Sequence, residues 1–262
     1  MANKPPPVVL AIGGHDPTGG AGIIADAQTL TSLGCHPVTA VTALTVQDLT
    51  TAHEFQNVDV TLLLRQCRTL LGSLPISTIK LGMLGSSATI TAMAPILAQA
   101  ALPLIVDPVL TSGDGSMLAE PGLKTALCTE LAPLATILTP NRAEAFALTG
   151  AADDDSAAHK LLSMGCGAVL LTGTDSDEQA DVVHRLYLAN AAPQLFSCPR
   201  LPGSYHGSGC TLASAISAYL ARGVELTHAV DAALRYTHDT LRDAIHFSAG
   251  QAVPKRWGRH DA

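Results

Sequence analysis

Short apolar runs rich in β-branched residues alternate along the chain with longer segments whose apolar positions repeat at helical spacing. The short runs predict strands at 8–12, 38–46, 78–81, 104–107, 136–138 and 168–171, and a β-pair at 182–188 and 195–198. The longer segments predict helices at 22–33, 61–71, 88–100, 118–131, 142–148, 156–164, 211–222 and 226–245. Because this alternation is typical of βαβ units, we expect an α/β fold with a central, mostly parallel sheet and helices on both faces.

The ends of the predicted strands are where a binding site is expected, since ligands of such sheets bind beyond the carboxyl ends of the strands. A length of 262 residues fits one large α/β domain or two small ones. No low-complexity linker divides the chain, so we expect a single domain over 1–262. Within it, we expect residues 1–7 to be flexible and residues 250–262 to form a C-terminal tail.

Composition and charge narrow the class of protein. Hydrophobic residues make up 47% of the chain and charged residues only 14%, against about 25% charged in an average globular protein, which excludes a disordered chain. A net charge of −7 argues against a nucleic-acid partner, which usually meets a basic face. The uncharged stretch 81–106 is interrupted by Gly82, Gly85 and Pro95, which favours buried elements over a membrane span.

The start of the chain lacks the apolar segment of a signal peptide, so we expect a cytoplasmic protein. Its six cysteines should then remain reduced. None of them forms a C-x-x-C pair, and no histidine pattern completes a zinc site. Five of the six are interpreted as small core residues.

Residues 13–22 (GGHDPTGGAG) lie between the first predicted strand and the first predicted helix. The glycines allow the backbone to approach a ligand closely, and the helix that follows offers free N–H groups. The segment matches neither of the common phosphate-binding glycine motifs, so an ordinary turn-rich connection is the alternative. Asp26, one turn into the helix, either faces the ligand or interacts with the helix dipole.

Residues 203–210 (GSYHGSGC) precede a second, strongly apolar helix. Gly207, Ser208 and Gly209 can turn successive N–H groups toward one point, which predicts an anion-binding loop. Cys210 falls in the first turn of that helix, where the pKa of a thiol is commonly lowered. It is therefore the candidate proton acceptor, with a buried structural cysteine as the alternative. His206 borders the same loop.

Carboxylates follow two further strands. Asp107 ends the strand 104–107, and Asn141 and Glu144 lie three residues apart at the start of a helix. Mg²⁺ prefers oxygen ligands and keeps part of its water shell, so Asp107 and Glu144 suit it. Asn141 and Glu144 also fit a capping box, in which the two residues satisfy the helix N-terminus. Both interpretations can hold together.

Six segments together resemble the ribokinase superfamily and, within it, the hydroxymethylpyrimidine and hydroxymethylpyrimidine-phosphate kinases of thiamin biosynthesis. The segments are GHDPTGGAGIIAD (14–26), TALTVQ (42–47), KLGML (80–84), VDPV (106–109), LTPNRAE (138–144) and HGSGCT (206–211). The resemblance extends over nearly the whole chain. Cysteine at position 210, where most of the superfamily has aspartate, is typical of the pyrimidine kinases and a few pyridoxal-kinase relatives.

The resemblance implies a single ribokinase-like domain that phosphorylates 4-amino-5-hydroxymethyl-2-methylpyrimidine with ATP, first to the monophosphate and then to the diphosphate. It implies Mg²⁺ as cofactor and a homodimer. By the same analogy, Cys210 is catalytic and residues 207–209 form the anion hole. The implied substrate-binding residues are Gly14, Asp26, Gln47, Met83 and Val109, with Gln47 hydrogen-bonding the aminopyrimidine. The implied ATP-binding residues are Asn141, Thr172 and Gly173, and the implied metal ligands are Asp107 and Glu144, through water.

The sequence departs from the family pattern at three places. His15 replaces a threonine of the first loop, and the segment 110–116 lacks a lysine that many members carry after the Asp-Pro-Val motif. Thr172, Gly173 and Thr174 replace a Lys-Gly-Gly sequence. Two cations expected near the phosphates are therefore missing, and Arg200 is a candidate replacement.

Two other functions stay open at this point. One is a pyridoxal or pyridoxine kinase, because the hydroxymethyl ring of that substrate is similar in shape; Gln47 and Met83 favour the aminopyrimidine. The other is a non-catalytic pyrimidine-binding module, which the missing lysines suggest. Cys210, Asp107, Glu144 and the glycines argue against it, since a binder needs no anion hole beside a metal site.

Overall fold

The structure is a computed structural model that describes residues 5–110, 120, 122–173 and 180–258. The departures expected within 111–116 and at Thr174, parts of the predicted helix at 118–131, and the outer ends of both termini lie outside the described residues. None of the described helices combines the length and the apolar character needed to cross a bilayer.

Nine strands of the described residues form one sheet in the order β3-β2-β1-β4-β5-β6-β7-β8-β9. The strands from β2 through β1 and β4 to β7 run parallel, and β3, β8 and β9 are added antiparallel at the two edges. Their bounds are β1 Val8–His15, β2 His36–Gln47, β3 Ala52–Asn57, β4 Ile76–Leu81, β5 Leu104–Val106, β6 Ile137–Leu138, β7 Ala168–Leu171, β8 Asp181–Leu188 and β9 Gln194–Pro199. The expected α/β fold with a mostly parallel sheet is confirmed.

The helices pack on both faces of this sheet. Their bounds are α1 Gly22–Ser32, α2 Val60–Ser73, α3 Ser87–Ala100, α4 Leu123–Ala126, α5 Arg142–Thr149, α6 Asp154–Ser163, α7 Ser208–Ala221 and α8 Leu226–Arg242, and α4 continues through a π-helical turn (Leu127–Leu131) and a 3₁₀ turn (Ala132–Leu134). Strand β1 contributes apolar side chains to both faces of the sheet. Leu10 and Ile12 belong to one hydrophobic core, and Val9 and Ala11 belong to the other. The second core contains apolar residues of α1, α7 and α8, while α2 to α6 supply the first.

The chain order of the sheet reverses between β1 and β4. From β1 the chain continues to β2 on one side, and it returns as β4 on the other side. The loops that leave β1 and β4 therefore diverge and open a crevice at the carboxyl edge of the sheet, where ligands of doubly wound sheets bind. Helix α7 packs across β1, β4 and β5 and directs its N-terminus to the same edge.

Two details differ from the sequence prediction. Strand β3 was missed because its sequence, AHEFQN, is mainly polar and carries little of the alternation that predicts a strand. The last helix ends at Arg242 rather than at residue 245. In the C-terminal segment, Ala252 and Val253 are buried and bridge to the chain before α7 and to the chain after α8.

Candidate active site

A cavity of about 480 Å³ opens at the carboxyl edge of the sheet. It brings together every site residue that the sequence predicted. Its lining includes Gly14, Asp26, Gln47, Met83, Asp107, Val109, Asn141, Glu144, Thr172, Gly173, Gly207, Ser208, Gly209 and Cys210.

The strand order places these residues along the cavity. Gly14 and Gln47 belong to β1 and β2, Asp107 follows β5, and Asn141 and Thr172 follow β6 and β7. The cavity therefore has a first end at the first glycine loop and a second end beyond β6 and β7. Between the two ends lies the start of α7.

Asp16 organises the first glycine loop. Its carboxylate accepts hydrogen bonds from the N–H groups of Thr18 and Ala21, both at 2.8 Å, and from Nε2 of His206 at 2.8 Å. Burial raises the pKa of Asp16, but the hydrogen bonds from His206, Gln47 and Thr18 outweigh it and hold the pKa well below its usual value. Asp16 is therefore ionised at neutral pH and fixes the loop by acceptor bonds alone.

Gln47 is also a neighbour of Asp16 and lowers the pKa of its carboxyl group. An ionised carboxylate only accepts hydrogen bonds, so Gln47 must donate through its NH₂ group. Its carbonyl oxygen is then directed to other partners in the cavity, where it can accept a hydrogen bond from a ligand amine. Met83 and Val109 supply apolar surface next to it.

The second glycine loop ends in the first turn of α7, with Gly207 as its N-cap. Gly207 has φ of 79°, a left-handed conformation that favours glycine, and no side chain caps the helix. The N–H groups of Ser208, Gly209 and Cys210 precede the first helical hydrogen bond, from Thr211 N to the carbonyl of Gly207. Together with the positive pole of the helix dipole, these free N–H groups are suited to an anion, as the sequence predicts.

The thiol of Cys210 does not have the lowered pKa that its position in the helix predicted. Burial raises the pKa of Cys210 to about 12, although Lys80 acts in the opposite direction. Desolvation of a thiolate therefore outweighs the helix terminus. Cys210 is a neutral thiol at pH 7 in the absence of ligands, and it lies close enough to Asp107 for the two groups to influence each other's pKa.

A buried ion pair lies under the cavity and was not predicted. Lys80 Nζ is 2.9 Å and 3.1 Å from the two carboxylate oxygens of Asp26, and Ser214 donates to Asp26 at 2.8 Å. Burial lowers the pKa of Lys80, but Asp26, Cys210 and Asp107 raise it above its usual value, so the side chain stays charged. Asp26 is fully buried, and its carboxylate accepts hydrogen bonds from Lys80 and Ser214. The geometry therefore favours a role in holding Lys80 over contact with a substrate.

Asp107 and Glu144 are both buried at the middle of the cavity edge. Burial raises the pKa of each, and the negative charge of Asp107 raises that of Glu144 further. Glu144 also forms the capping box with Asn141, with hydrogen bonds of 2.8 Å and 2.9 Å. The capping box is thus confirmed, and the metal-ligand interpretation stays a prediction.

The residues present fit Mg²⁺ that is bound mainly through water and phosphate. Oδ2 of Asp107 is buried and has no hydrogen-bond partner among the described residues, as expected for an oxygen that awaits a cation or its water. Two neighbouring carboxyl groups whose pKa values are both raised also favour a positive charge beside them. In the described parts of the chain, no three or more His, Cys, Asp or Glu side chains are arranged so that they alone could hold a metal ion. A metal here would depend on the phosphates for its remaining ligands.

Sequence reasoning missed other parts of this site. Lys80 lies inside an apolar strand pattern, and Arg256 lies in a segment that was interpreted as a tail. A lysine within a buried strand was the available signal, since lysine is almost never fully buried unless it is paired. Arg200, the candidate replacement for the missing cations, does line the cavity.

A mostly parallel sheet with two glycine loops, a helix N-terminus and paired carboxylates at its carboxyl edge defines a small-molecule kinase of the ribokinase-like class. The chain belongs to the phosphomethylpyrimidine kinase family, whose model matches residues 16–255. It is 37% identical over 253 residues to the hydroxymethylpyrimidine/phosphomethylpyrimidine kinase of Mycobacterium leprae, over 92% of this chain and 91% of that one.

Solved structures are similar to the chain over most of its length. The pyridoxal kinase of Staphylococcus aureus in complex with pyridoxal has a TM-score of 0.87 and 26% identity, and covers 96% of this chain and 93% of its own. The phosphomethylpyrimidine kinase of Clostridium difficile has a TM-score of 0.77 and 32% identity, and covers 88% of this chain and 98% of its own. The sequence is thus more similar to the second structure, and the fold superimposes better on the first.

Proposed function

We propose that the chain transfers the γ-phosphoryl group of ATP to the hydroxymethyl group of 4-amino-5-hydroxymethyl-2-methylpyrimidine, and then to the monophosphate so formed, in thiamin biosynthesis. The single observation that carries this proposal is the position of the α7 N-terminus. The first end of the cavity, on one side of it, suits an aminopyrimidine. The second end, on the other side, contains the carboxylates and the residues predicted to bind the nucleotide. Family membership supports the same activity.

The acceptor binds at the first end of the cavity in this proposal. Gln47 accepts a hydrogen bond from the exocyclic amine, because its own NH₂ group is used by Asp16. Gly14, Met83 and Val109 bound the ring, and a side chain at position 14 would collide with Met83, since its Cβ would lie 2.9 Å from Sδ. The ring is thereby held with its hydroxymethyl group toward Cys210.

The phosphates of ATP bind at the second end, over Asn141, Thr172 and Gly173 in this proposal. Asp107 and Glu144 would hold Mg²⁺ through water, and the metal would neutralise charge on the phosphates. The N–H groups of residues 208–210 donate hydrogen bonds to the oxygens of the transferring phosphoryl group, and Lys80 adds a fixed positive charge beneath them. Phosphoryl transfer needs positioning and charge neutralisation above all, which these groups supply.

Cys210 accepts the proton of the hydroxymethyl group in the first transfer. Because its pKa is high, the thiol first has to release its own proton to solvent in the complex, where Lys80 and the α7 N-terminus favour the thiolate. The thiolate then takes the hydroxymethyl proton as the oxygen bonds to phosphorus and ADP leaves. In the second transfer the nucleophile is a phosphate oxygen that is already anionic, so no base is needed. One site can thus perform both steps with different demands on Cys210.

A pyridoxal kinase is the second candidate, and one observation favours it. The fold superimposes closely on a pyridoxal kinase that binds pyridoxal. Gln47 argues for the aminopyrimidine, since its free carbonyl oxygen matches an amine donor, and pyridoxal has no ring amine.

Three finer features belong to the proposal. Mg²⁺ serves as the metal, on the evidence of the unpartnered Asp107 oxygen. The chain acts as a homodimer, which the exposed Leu44 and Val46 on β2 support. It works in the cytoplasm, where ATP is available and its six free cysteines stay reduced.

A coupled ADP-release assay with Mg-ATP tests the proposal. The aminopyrimidine alcohol, its monophosphate and pyridoxal are supplied separately, and each product is identified by mass. Turnover of both pyrimidines supports the proposed function. Turnover of pyridoxal alone assigns the second candidate instead, and absence of turnover with all three contradicts both.

A further inference from the structure

We propose that Arg256, in the C-terminal segment, is a positioning residue that holds the two glycine loops together and keeps their N–H groups directed at the phosphoryl group. The inference rests on the proposed function for its effect on turnover. Its geometric part concerns the loops alone and can be tested separately.

Arg256 is fully buried, and all five N–H donors of its guanidinium have acceptors. Nε donates to Thr211 Oγ1 at 2.8 Å, and Nη1 donates at 3.3 Å to the carbonyl of Gly19 and to the side chain of Gln28. Nη2 donates to the carbonyls of Gly20 and Gly207. The acceptors lie on the first glycine loop, on α1, on the second glycine loop and on α7.

The two loops meet at glycines because Arg256 draws them together. A Cβ at Gly207 would lie 2.1 Å from the carbonyl oxygen of Gly20 and 2.9 Å from Nη2 of Arg256. A Cβ at Gly20 would lie 2.3 Å from the ring of His206. Neither position leaves room for a side chain, so the contact between the loops is set by backbone packed on backbone and on the guanidinium.

This arrangement has a consequence for the anion-binding end of α7. The Gly207 carbonyl accepts hydrogen bonds from Thr211 N at 3.0 Å and Thr211 Oγ1 at 2.8 Å, and Arg256 adds a longer contact of 3.5 Å while its Nε holds the same Thr211 hydroxyl. The peptide group after Gly207 therefore cannot rotate freely, and the N–H groups that follow it keep a fixed direction. The five hydrogen-bond acceptors are neutral oxygens, and the carboxylates of Asp26 and Asp16 act on the guanidinium from farther away. A positive charge thus lies behind the contact between the two glycine loops.

The segment that the sequence predicted as a tail packs against the second glycine loop and α8. His206 N donates to the carbonyl of Ala252, and Tyr236 donates through its hydroxyl to the carbonyl of Arg256 at 3.2 Å. These bonds fix the segment on the second glycine loop and on α8. The backbone of this segment therefore positions Arg256.

The test compares Arg256→Lys and Arg256→Met with Lys255→Met. Lys255 is the matched control, because it is the preceding residue on the same segment and its side chain is exposed. Amide hydrogen exchange is measured over 13–22 and 203–212, with strands β1 and β4 as internal references. Turnover with Mg-ATP and the aminopyrimidine alcohol is measured on the same samples, well below their melting temperatures.

We expect kcat to fall by about 10- to 100-fold in Arg256→Lys, since small misplacement of a catalytic group has effects of this size. Arg256→Met should lose more, because lysine retains the charge and part of the donors. Exchange should accelerate in both loops and stay unchanged in the strands, which a general loss of stability would not produce. Lys255→Met should match the wild type in both measurements.

Unchanged exchange in the loops of Arg256→Lys and Arg256→Met would overturn the proposal, whatever their turnover. Exchange that rises equally in loops and strands would also overturn it. If Arg256→Met does not fold, Arg256→Lys alone decides. Failure of the wild type to phosphorylate any acceptor would sink the proposed function, whereas the exchange data would still decide whether Arg256 holds the loops.

Discussion

Lys80 and Asp26 form an ion pair beneath the cavity, at 2.9 Å, with side chains that are 1% and 0% exposed. The lysine comes from the central strand β4 and the aspartate from α1. The pair therefore connects the sheet to the helix that follows the first glycine loop. It also keeps a charged ammonium group close to Cys210 and Asp107.

Removing one member of this pair should cost more than removing both charges. Lys80→Met leaves the Asp26 carboxylate buried without its counter-ion, and we expect a loss of about 3–5 kcal/mol in unfolding free energy. Lys80→Met combined with Asp26→Asn should recover most of that loss. Urea unfolding at pH 7 is measured for the wild type, Lys80→Met, Asp26→Asn and the double variant. The double variant should remain slow in turnover, because the positive charge under the phosphoryl site is still missing.

Additive effects of the two substitutions would contradict this account of the pair. If the double variant has a normal kcat, the ion pair has a purely structural role. Arg65→Met supplies a control for the loss of a positive charge, since this side chain lies at an exposed position of α2.

Replacing Cys210 should separate the two phosphorylation steps. We expect Cys210→Ala to lower kcat for the alcohol by about 10²- to 10⁴-fold, the usual effect of losing a general base. The loss for the monophosphate should be much smaller, because that nucleophile is already an anion. Cys128→Ala is the control, since it removes a thiol on the opposite face of the sheet. Equal losses for both acceptors would contradict a role in proton transfer.

Glu144 should make the stability of the metal-free protein depend on pH. Burial and the charge of Asp107 raise its pKa, so the folded state keeps a proton that the unfolded state releases above about pH 4.3. Stability is therefore lost as pH rises from that value through the raised pKa. Glu144→Gln keeps the capping box and removes the titration, so its advantage over the wild type should grow with pH.

Urea unfolding in EDTA at pH 5, 7 and 9 measures this difference, and Glu54→Gln at an exposed position serves as control. Added Mg²⁺ and nucleotide should reverse the order and stabilise the wild type more. A difference between wild type and Glu144→Gln that stays constant across this pH range would refute the explanation.

Gln47 should select the acceptor. Gln47→Leu removes the proposed acceptor of the aminopyrimidine amine, at an expected cost of about 1–3 kcal/mol in transition-state binding. The loss of kcat/KM should be smaller for pyridoxal than for the aminopyrimidine. Gln56→Leu, at an exposed position of β3, is the control. An equal loss with both acceptors would show that Gln47 does not recognise the amine.

Much of the fold was predictable because β1, β4 and β5 are buried on both faces and give continuous apolar runs. Asp107, Asn141 and Glu144 were predictable for a related reason, since they follow parallel strands whose carboxyl ends meet at one edge. Other candidate residues came from the family resemblance: Gln47, Met83, Val109, Thr172 and Gly173. Strand β3 was not predictable, because its polar sequence is stabilised by pairing with β2 rather than by burial.

The electrostatics of the site were not predictable from the sequence. The position of Cys210 in the first helical turn suggested a lowered pKa, but the depth of the cavity decides the outcome through desolvation. Arg256 lies 49 residues after Gly207, in a segment whose charged residues are typical of a solvated tail. Only the folded chain shows that it packs behind the anion-binding loop.

The most direct test of the central claim is a mass-resolved time course of the wild-type protein with Mg-ATP and the aminopyrimidine alcohol. We expect the monophosphate to appear first and then to be converted to the diphosphate, with two ADP released for each diphosphate formed. Both products should arise from one protein and one site. A reaction that yields neither phosphate while pyridoxal is phosphorylated would contradict the account.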